Sequence, residues 1–191
     1  MKQNSFYALL FRQKYIKRWG LMRNSIEENL AEHCTETAIL THALAEIGNN
    51  LFGMHYDTGK AVILALFHDT TEVIIGDLPT PVKYYNTQIR ASYSEIEKNS
   101  AALLLSKLPA ELSPVYEPLF CGGEPQLLKL VKAADKLCAY IKCVEEEKSG
   151  NTEFRQARIS ILDALDSMDC KELVWFREHL LTSFELTLDE L

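Results

Sequence analysis

Hydrophobic residues recur along this chain every three to four positions, and no segment alternates convincingly between polar and apolar residues. This periodicity predicts helices along almost the whole length. Turn residues separate them, since Gly48-Asn49-Asn50, Gly76 and Gly150-Asn151 each follow a periodic segment. The predicted helices cover residues 4–16, 29–47, from Asp57 or Thr58 to about 75, 87–107, from Pro125 to near Gly150, 153–168 and 171–180, with a short Pro-bounded stretch at about 111–119.

The most strongly shaped loop is the segment 76–81, with the sequence GDLPTP. Its two prolines restrict the backbone, and Thr80 followed by Pro81 is typical of an N-cap and the first residue of a short helix. The chain contains no internal repeat and no linker long enough to separate domains. We therefore expect one all-α domain, a helical bundle that covers residues 1–191.

The charge distribution limits the function classes. The net charge of −7 argues against a protein that binds nucleic-acid polymers, because neutralising phosphates requires an excess of Lys and Arg. The stretch from Met1 to Ile26 nevertheless carries six basic residues and no acidic one. It is either a solvated helix face or a positive wall beside an anionic substrate.

The longest apolar run, residues 61–67, is too short to cross a bilayer, and the amino-terminal residues do not have the pattern of a signal peptide. The five cysteines are an odd count without a C-x-x-C pair, which is typical of reduced thiols rather than disulfides. We expect a cytoplasmic protein that does not contact a membrane.

Several polar residues occupy helix positions that should face the core. Asp135 follows Val131 by one helical turn, His33 follows Leu30, and His68 ends the apolar run. A single inward histidine is more often a satisfied core residue than a ligand, and an inward aspartate can pair with a lysine. Three separate helices with such residues are harder to explain in that way.

The set His33, His68, Asp69 and Asp135 suits a metal ion. Two imidazoles and two carboxylates form a mixed nitrogen and oxygen site for Mn, Co, Fe, Ni or Zn. Neighbouring residues of a straight helix point about 100° apart, so His68 and Asp69 can share one ion best near a helix end or a local distortion. Open positions on the metal would admit water and a phosphate oxygen.

With these residues in this order, the sequence resembles the HD-domain metal-dependent phosphohydrolases, and most closely their bacterial 5′-deoxynucleotidase branch. The resemblance implies an HD-domain helical bundle, a single divalent cation (Co, Mn or another transition metal), a homodimer, and hydrolysis of deoxyribonucleoside 5′-monophosphates to deoxynucleoside and phosphate. The residues that carry it are 17–19, 28–33, 67–69 with Glu72, 76–84, 132–140 and 183–190.

Candidate roles follow for residues near the metal set. Arg18 could clamp the phosphate, although it could also be a surface arginine. Glu72 and Asp77 could divide the acid and base work, or they could support a ligand histidine and cap a turn. Trp19 could pack against the base or sugar, or belong to the core. The resemblance implies a substrate site formed by Arg18, Trp19, His33, Asp77, Leu78, Pro79 and Thr80.

Two alternatives remain open at this point. One is another HD-domain hydrolase, which acts on deoxynucleoside triphosphates or on cyclic or alarmone nucleotides. The other is a helical regulatory module that binds a nucleotide without cleaving it.

Overall fold

A computed structural model describes residues 4–83 and 85–191, apart from the side chains of Thr80 and Cys121. All regular structure in these ranges is helical, which confirms the all-α prediction. Tyr84, which is part of the resemblance, lies outside the described residues. The α-helices are α1 (Phe6–Leu10), α2 (Leu30–Leu51), α3 (Thr58–Phe67), α4 (Glu72–Ile75), α5 (Thr80–Lys83), α6 (Thr87–Leu105), α7 (Ser113–Cys121), α8 (Pro125–Lys148), α9 (Arg155–Asp166) and α10 (Lys171–His179).

Four short 3₁₀ helices complete the regular structure of the described ranges, at Gln13–Tyr15, Thr152–Phe154, Leu181–Glu185 and Leu188–Glu190. One isolated antiparallel bridge joins Lys17 to Asn29. Within the described ranges, every helix is too short or too polar to cross a bilayer.

The chain forms two compact units, and the first comprises the residues up to Leu21 with Glu27–Cys34 and Phe67–Gly123. Its core surrounds the buried side chain of Phe6, with Leu104 of α6 and Leu108. The Phe6 ring meets the Tyr116 ring edge-on, with 5.1 Å between centroids. This aromatic packing holds α1 against α7.

The second unit comprises Met22–Ile26, Thr35–Leu66 and Glu124–Leu191. Its core follows the apolar stripe of α8, which packs against α9 and the neighbouring helices. Burying each large aliphatic side chain stabilises the fold by about 1.5–3 kcal/mol. The leucines that are almost completely buried in this core are Leu44, Leu130, Leu137, Leu165 and Leu173. The prediction of a single domain over 1–191 stays a prediction.

The expected first helix, 4–16, is wrong in extent. The α-helix ends at Leu10, a 3₁₀ turn follows, and the backbone is extended at Ile16. The apolar residues here do not form one buried stripe, because Phe6 is buried whereas Phe11 is 75% exposed. Without a continuous buried face, nothing stabilises a four-turn helix at this position.

The expected stop at Gly48-Asn49-Asn50 is also wrong, since α2 continues to Leu51. Gly48 serves close packing, because a Cβ atom there would lie 2.4 Å from the Tyr56 ring. The Asn49 amide bonds the backbone of Tyr56 through both its oxygen and its nitrogen. These residues therefore hold the returning chain against α2 instead of ending the helix.

The expected helix from residue 57 or 58 to 75 is interrupted. Asp57 caps it, with its carboxylate accepting from Lys60 N–H at 2.9 Å, but α3 ends at Phe67 and α4 starts at Glu72. A turn at 68–71 separates the two helices. This turn is a local distortion of the kind at which two adjacent residues could share one ion.

Candidate active site

His68 and Asp69 begin the turn between α3 and α4. The backbone N–H of Thr70 donates to Phe67 O at 3.2 Å, and that of Glu72 donates to Asp69 O at 3.0 Å. These bonds close a tight non-α turn. The imidazole and carboxylate of adjacent residues are thereby freed from the 100° separation of a straight helix.

The two histidines and Asp69 lie together. His33, on the first turns of α2, is completely buried, and its Nε2 lies 3.6 Å from Asp69 Oδ2. His68 Nε2 lies 3.1 Å from the same oxygen, and the two imidazole centroids are 5.3 Å apart. Both Nε2 atoms therefore point toward one carboxylate oxygen.

Asp135 of α8 completes this cluster. One ligand atom from each of His33, His68, Asp69 and Asp135 can be chosen so that all four lie within 4.8 Å of one another. Adjacent ligands on one ion are about 3 Å apart and opposite ligands about 4 Å apart, given bond lengths near 2.1 Å. The spacing and the nitrogen and oxygen donors fit a divalent transition metal.

Arg18 and Trp19 lie on the loop that precedes α2. The base of this loop is closed by backbone bonds from Arg18 N to Glu28 O and from Leu30 N to Ile16 O, both 2.9 Å long. Trp19 adopts a φ of +57°, a left-handed conformation that costs a residue with a Cβ about 1–2 kcal/mol. The loop thus holds Trp19 in a geometry that a free chain would avoid.

The Arg18 guanidinium lies beside the cluster, with Nη1 3.7 Å from Asp69 Oδ2, and only 12% of its side chain is exposed. Its position favours the phosphate-clamp interpretation over that of a surface arginine. Arg18 and Trp19 both bond to Glu28, to which the sequence analysis assigned no role. The sequence signals for Glu28 were its place in the stretch 28–33 that carries the family resemblance and its position shortly before His33.

Glu72 is the first residue of α4 and is only 6% exposed. Burial and the negative charges of Asp69 and Asp77 raise its pKa to about 9, against an ordinary value of 4.5. In the metal-free protein this raised pKa favours the protonated form of Glu72 at neutral pH. The turn at 68–71 interrupts the predicted helix before Glu72, but the Asp69 carboxylate still acts electrostatically on Glu72.

Asp77 lies on the non-helical segment after Gly76, whose φ of +76° permits the sharp change of direction. Burial raises the pKa of Asp77, and the Arg18 charge partly opposes that rise. Arg18 thus acts electrostatically on both Glu72 and Asp77. The two candidate acid and base groups share one environment.

The remaining predicted substrate residues follow Asp77. Leu78 and Pro79 are half-buried in the same segment. Pro79 O accepts from Lys83 N–H, so Thr80 is the first residue of α5 instead of its N-cap, and the predicted contact of its side chain lies outside the described residues. Lys83, which belongs to the stretch 76–84 but had no role predicted for it, adds a positive charge that lowers the pKa of Glu72.

Known proteins resemble this chain in sequence over almost its whole length. The family described as 5′-deoxynucleotidase YfbR-like matches residues 5–184. A 5′-deoxynucleotidase YfbR of Shigella boydii is 44% identical over 193 aligned residues, which cover 100% of this chain and 97% of the relative. The protein of the same name from Escherichia coli O1:K1 shows the same identity and coverage.

Two solved structures share the fold. An HD-domain phosphohydrolase from Listeria innocua superposes with a TM-score of 0.84 at 22% identity, over 94% of this chain and 88% of the other. The HD phosphohydrolase of cyanophage S-2L, bound to dA and one catalytic Zn²⁺ ion, gives a TM-score of 0.67 at 19% identity, with coverages of 92% and 96%. These likenesses confirm the expected HD-domain helical bundle.

Proposed function

Because this chain belongs to the YfbR-like family of 5′-deoxynucleotidases, we propose that it hydrolyses deoxyribonucleoside 5′-monophosphates to deoxynucleoside and phosphate. One divalent cation, Co, Mn or another transition metal, would be held by His33, His68, Asp69 and Asp135. The observation that carries the proposal is the convergence of two imidazoles and two carboxylates beside a partly buried arginine, in a chain that matches such enzymes over its full length.

A bound cation would supply Lewis-acid polarisation of a phosphate oxygen and would lower the pKa of the attacking water. The Arg18 guanidinium neutralises the phosphate dianion, because phosphoryl transfer depends mainly on positioning and charge stabilisation. Its Nε already bonds to Glu28, so the Nη groups remain directed at the Asp69 side of the site. Arg18 is thus both a binding and a catalytic residue in this proposal.

Glu72 and Asp77 divide the proton transfers. The raised pKa of Glu72 in the metal-free protein favours its protonated form, which suits it to protonate the departing 5′-oxygen. Asp77, the less strongly shifted of the two carboxyl groups, is then the one suited to accept a proton from water. Trp19, His33, Leu78, Pro79 and Thr80 would shape the pocket for the sugar and base.

A phosphate-release panel tests the substrate assignment. The metal-loaded protein should cleave deoxynucleoside monophosphates faster than ribonucleoside monophosphates, deoxynucleoside triphosphates and cyclic nucleotides. Release from triphosphates alone would favour another HD-domain hydrolase. Binding of a monophosphate without any release would favour a regulatory module.

The metal assignment is tested by Asp135→Ala. Loss of one carboxylate ligand should abolish stable metal binding and catalysis together, by at least about 100-fold in kcat. Elemental analysis of the purified variant checks the metal, and phosphate release checks the rate. Activity that survives complete metal loss would contradict the proposal.

We also propose a homodimer and a cytoplasmic location. Cys34, Cys138, Cys143 and Cys170 are buried thiols that take part in no disulfide among the described side chains, which is typical of a reducing compartment. The homodimer rests on the family resemblance, and light scattering after size-exclusion chromatography tests it. A single species of about 22 kDa would contradict it.

A further inference from the structure

We propose that Glu28 is a positioning residue that orients the metal ligand His33, the phosphate clamp Arg18 and the aromatic wall Trp19 at the same time. The proposal rests on the proposed function, because it assigns Glu28 to that same site. It goes further in identifying one carboxylate that holds together groups with three different tasks.

Both oxygens of the Glu28 carboxylate are engaged. Oε1 accepts from Arg18 Nε at 3.0 Å and also faces His33 Nδ1 at 3.4 Å. Oε2 accepts from Trp19 Nε1 at 2.8 Å. Two N–H donors and the Nδ1 ring nitrogen of His33 thus converge on one side chain that is only 11% exposed. An ionised carboxylate accepts through both oxygens and donates through neither, so no other side chain of this length meets all three demands.

The contact with His33 sets the tautomer of a buried ligand. Nδ1 of His33 faces Glu28, whereas Nε2 faces the cluster through Asp69 Oδ2. A proton on Nδ1 leaves the Nε2 lone pair directed at the metal position. Carboxylates that accept from the second nitrogen of a ligand histidine fix ring orientation and increase ligand basicity in this way.

The contacts with Arg18 and Trp19 fix the loop that carries them. Glu28 bonds Arg18 twice, since its backbone oxygen accepts from Arg18 N–H and its carboxylate accepts from Nε. It also bonds the indole of Trp19, the one described residue other than glycine with a positive φ. The long arginine side chain and the strained tryptophan are therefore ordered before substrate arrives, which reduces the entropy cost of binding.

A purely structural role of Glu28 predicts different experimental results. If Glu28 only neutralised Arg18, its removal would affect folding or phosphate binding but would not reach the metal. The decisive readout is therefore metal affinity, together with the division of any kinetic defect between kcat and KM.

The experiment compares Glu28→Gln with Glu27→Gln. Glu27 is the matched control because it is the neighbouring glutamate, is 71% exposed and pairs only with the exposed Lys17 among the contacts described. Both variants and the wild type are stripped of metal and titrated with Mn²⁺ and Co²⁺ by calorimetry. The visible spectrum of the Co²⁺ form and the steady-state kinetics with a deoxynucleoside monophosphate complete the set.

Glu28→Gln places an amide donor against N–H donors, so we expect a 10- to 100-fold loss of metal affinity, an altered Co²⁺ spectrum and a raised KM at saturating metal. Glu27→Gln should match the wild type in every reading. Glu28→Asp keeps the ionised acceptor with a shorter reach and should recover part of the affinity.

A folded Glu28→Gln variant with unchanged metal affinity and unchanged KM would overturn the proposal. If this variant does not fold, Glu28→Asp decides: a weaker metal affinity with a raised KM supports the proposal, and wild-type values overturn it. A wild type that releases no phosphate from monophosphates would refute the proposed function, whereas the metal titrations would still test Glu28.

Discussion

Glu72 and Glu146 are both almost completely buried, with 6% and 1% of their surfaces exposed, but their surroundings shift their pKa values in opposite directions. The pKa of Glu72 is raised to about 9 by burial and by the charges of Asp69 and Asp77. That of Glu146 is lowered to about 2, because hydrogen bonds outweigh the opposing effect of burial. Burial alone therefore does not decide whether a carboxyl group is ionised.

The difference lies in the donors that each carboxylate meets. Glu146 accepts from Lys142 Nζ at 2.5 Å, Ser25 N at 2.8 Å, Ile26 N at 3.2 Å and Asn151 Nδ2 at 2.7 Å. Within the described part of the chain, Oε2 of Glu72 has no hydrogen-bond partner. Glu146 is thus a structural anchor for Ser25 and Ile26, whereas one oxygen of Glu72 lacks a hydrogen bond at the proposed site of proton transfer.

The largest expected effect tests the Glu72 side of this comparison. Glu72→Gln keeps the shape of the neutral acid but removes its transferable proton, so kcat should fall by about 10²- to 10⁴-fold. Metal content should stay at the wild-type level, as elemental analysis would check. Glu95→Gln, an exposed control on α6, should leave both kcat and the metal content unchanged. A near-normal rate would reduce Glu72 to a supporting role.

The next effect concerns Glu146. Glu146→Ala leaves the Lys142 ammonium buried and several donors unmatched, so the free energy of unfolding should fall by about 3–5 kcal/mol. Since its folded pKa is depressed, the stabilisation is fully present above pH 4.5 and is lost as the pH falls toward 2. Urea unfolding of the wild type and the variant at pH 7 and at pH 3 measures both the loss of unfolding free energy and its dependence on pH. A loss below 1 kcal/mol at pH 7 would contradict the anchor role.

The smallest effect is the pH dependence that Glu72 imposes on the metal-free protein. Its pKa is raised in the folded state, so only the unfolded chain loses the proton between pH 4.5 and 9, and stability falls as the pH rises through that window. The loss at pH 7 should reach at most about 3 kcal/mol. Glu72→Gln should remove this slope and be more stable than the wild type at pH 8. Parallel slopes for the two proteins would refute the raised pKa.

The local sequence pattern was enough to predict much of the fold. Helix α8 follows from Pro125 at its start and from a continuous apolar stripe, and α6 starts where Asn86 caps it. Gly48 misled the prediction, because a glycine that ends a helix and a glycine that admits a neighbouring ring are identical in sequence. The interruption at 68–71 contains neither glycine nor proline, so the predicted helix continued through it.

The candidate site also combines features that the sequence identified with features that only the fold decided. The sequence by itself identified His33, His68, Asp69 and Asp135 as candidate ligands, because His33 and Asp135 interrupt apolar helix faces and His68 and Asp69 follow an apolar run. The tertiary structure alone decided their mutual distances, the convergence of nitrogen atoms of three residues on Glu28, and the raised pKa of Glu72. Those properties depend on groups from distant parts of the chain and on exclusion of water, and neither is written in the local sequence.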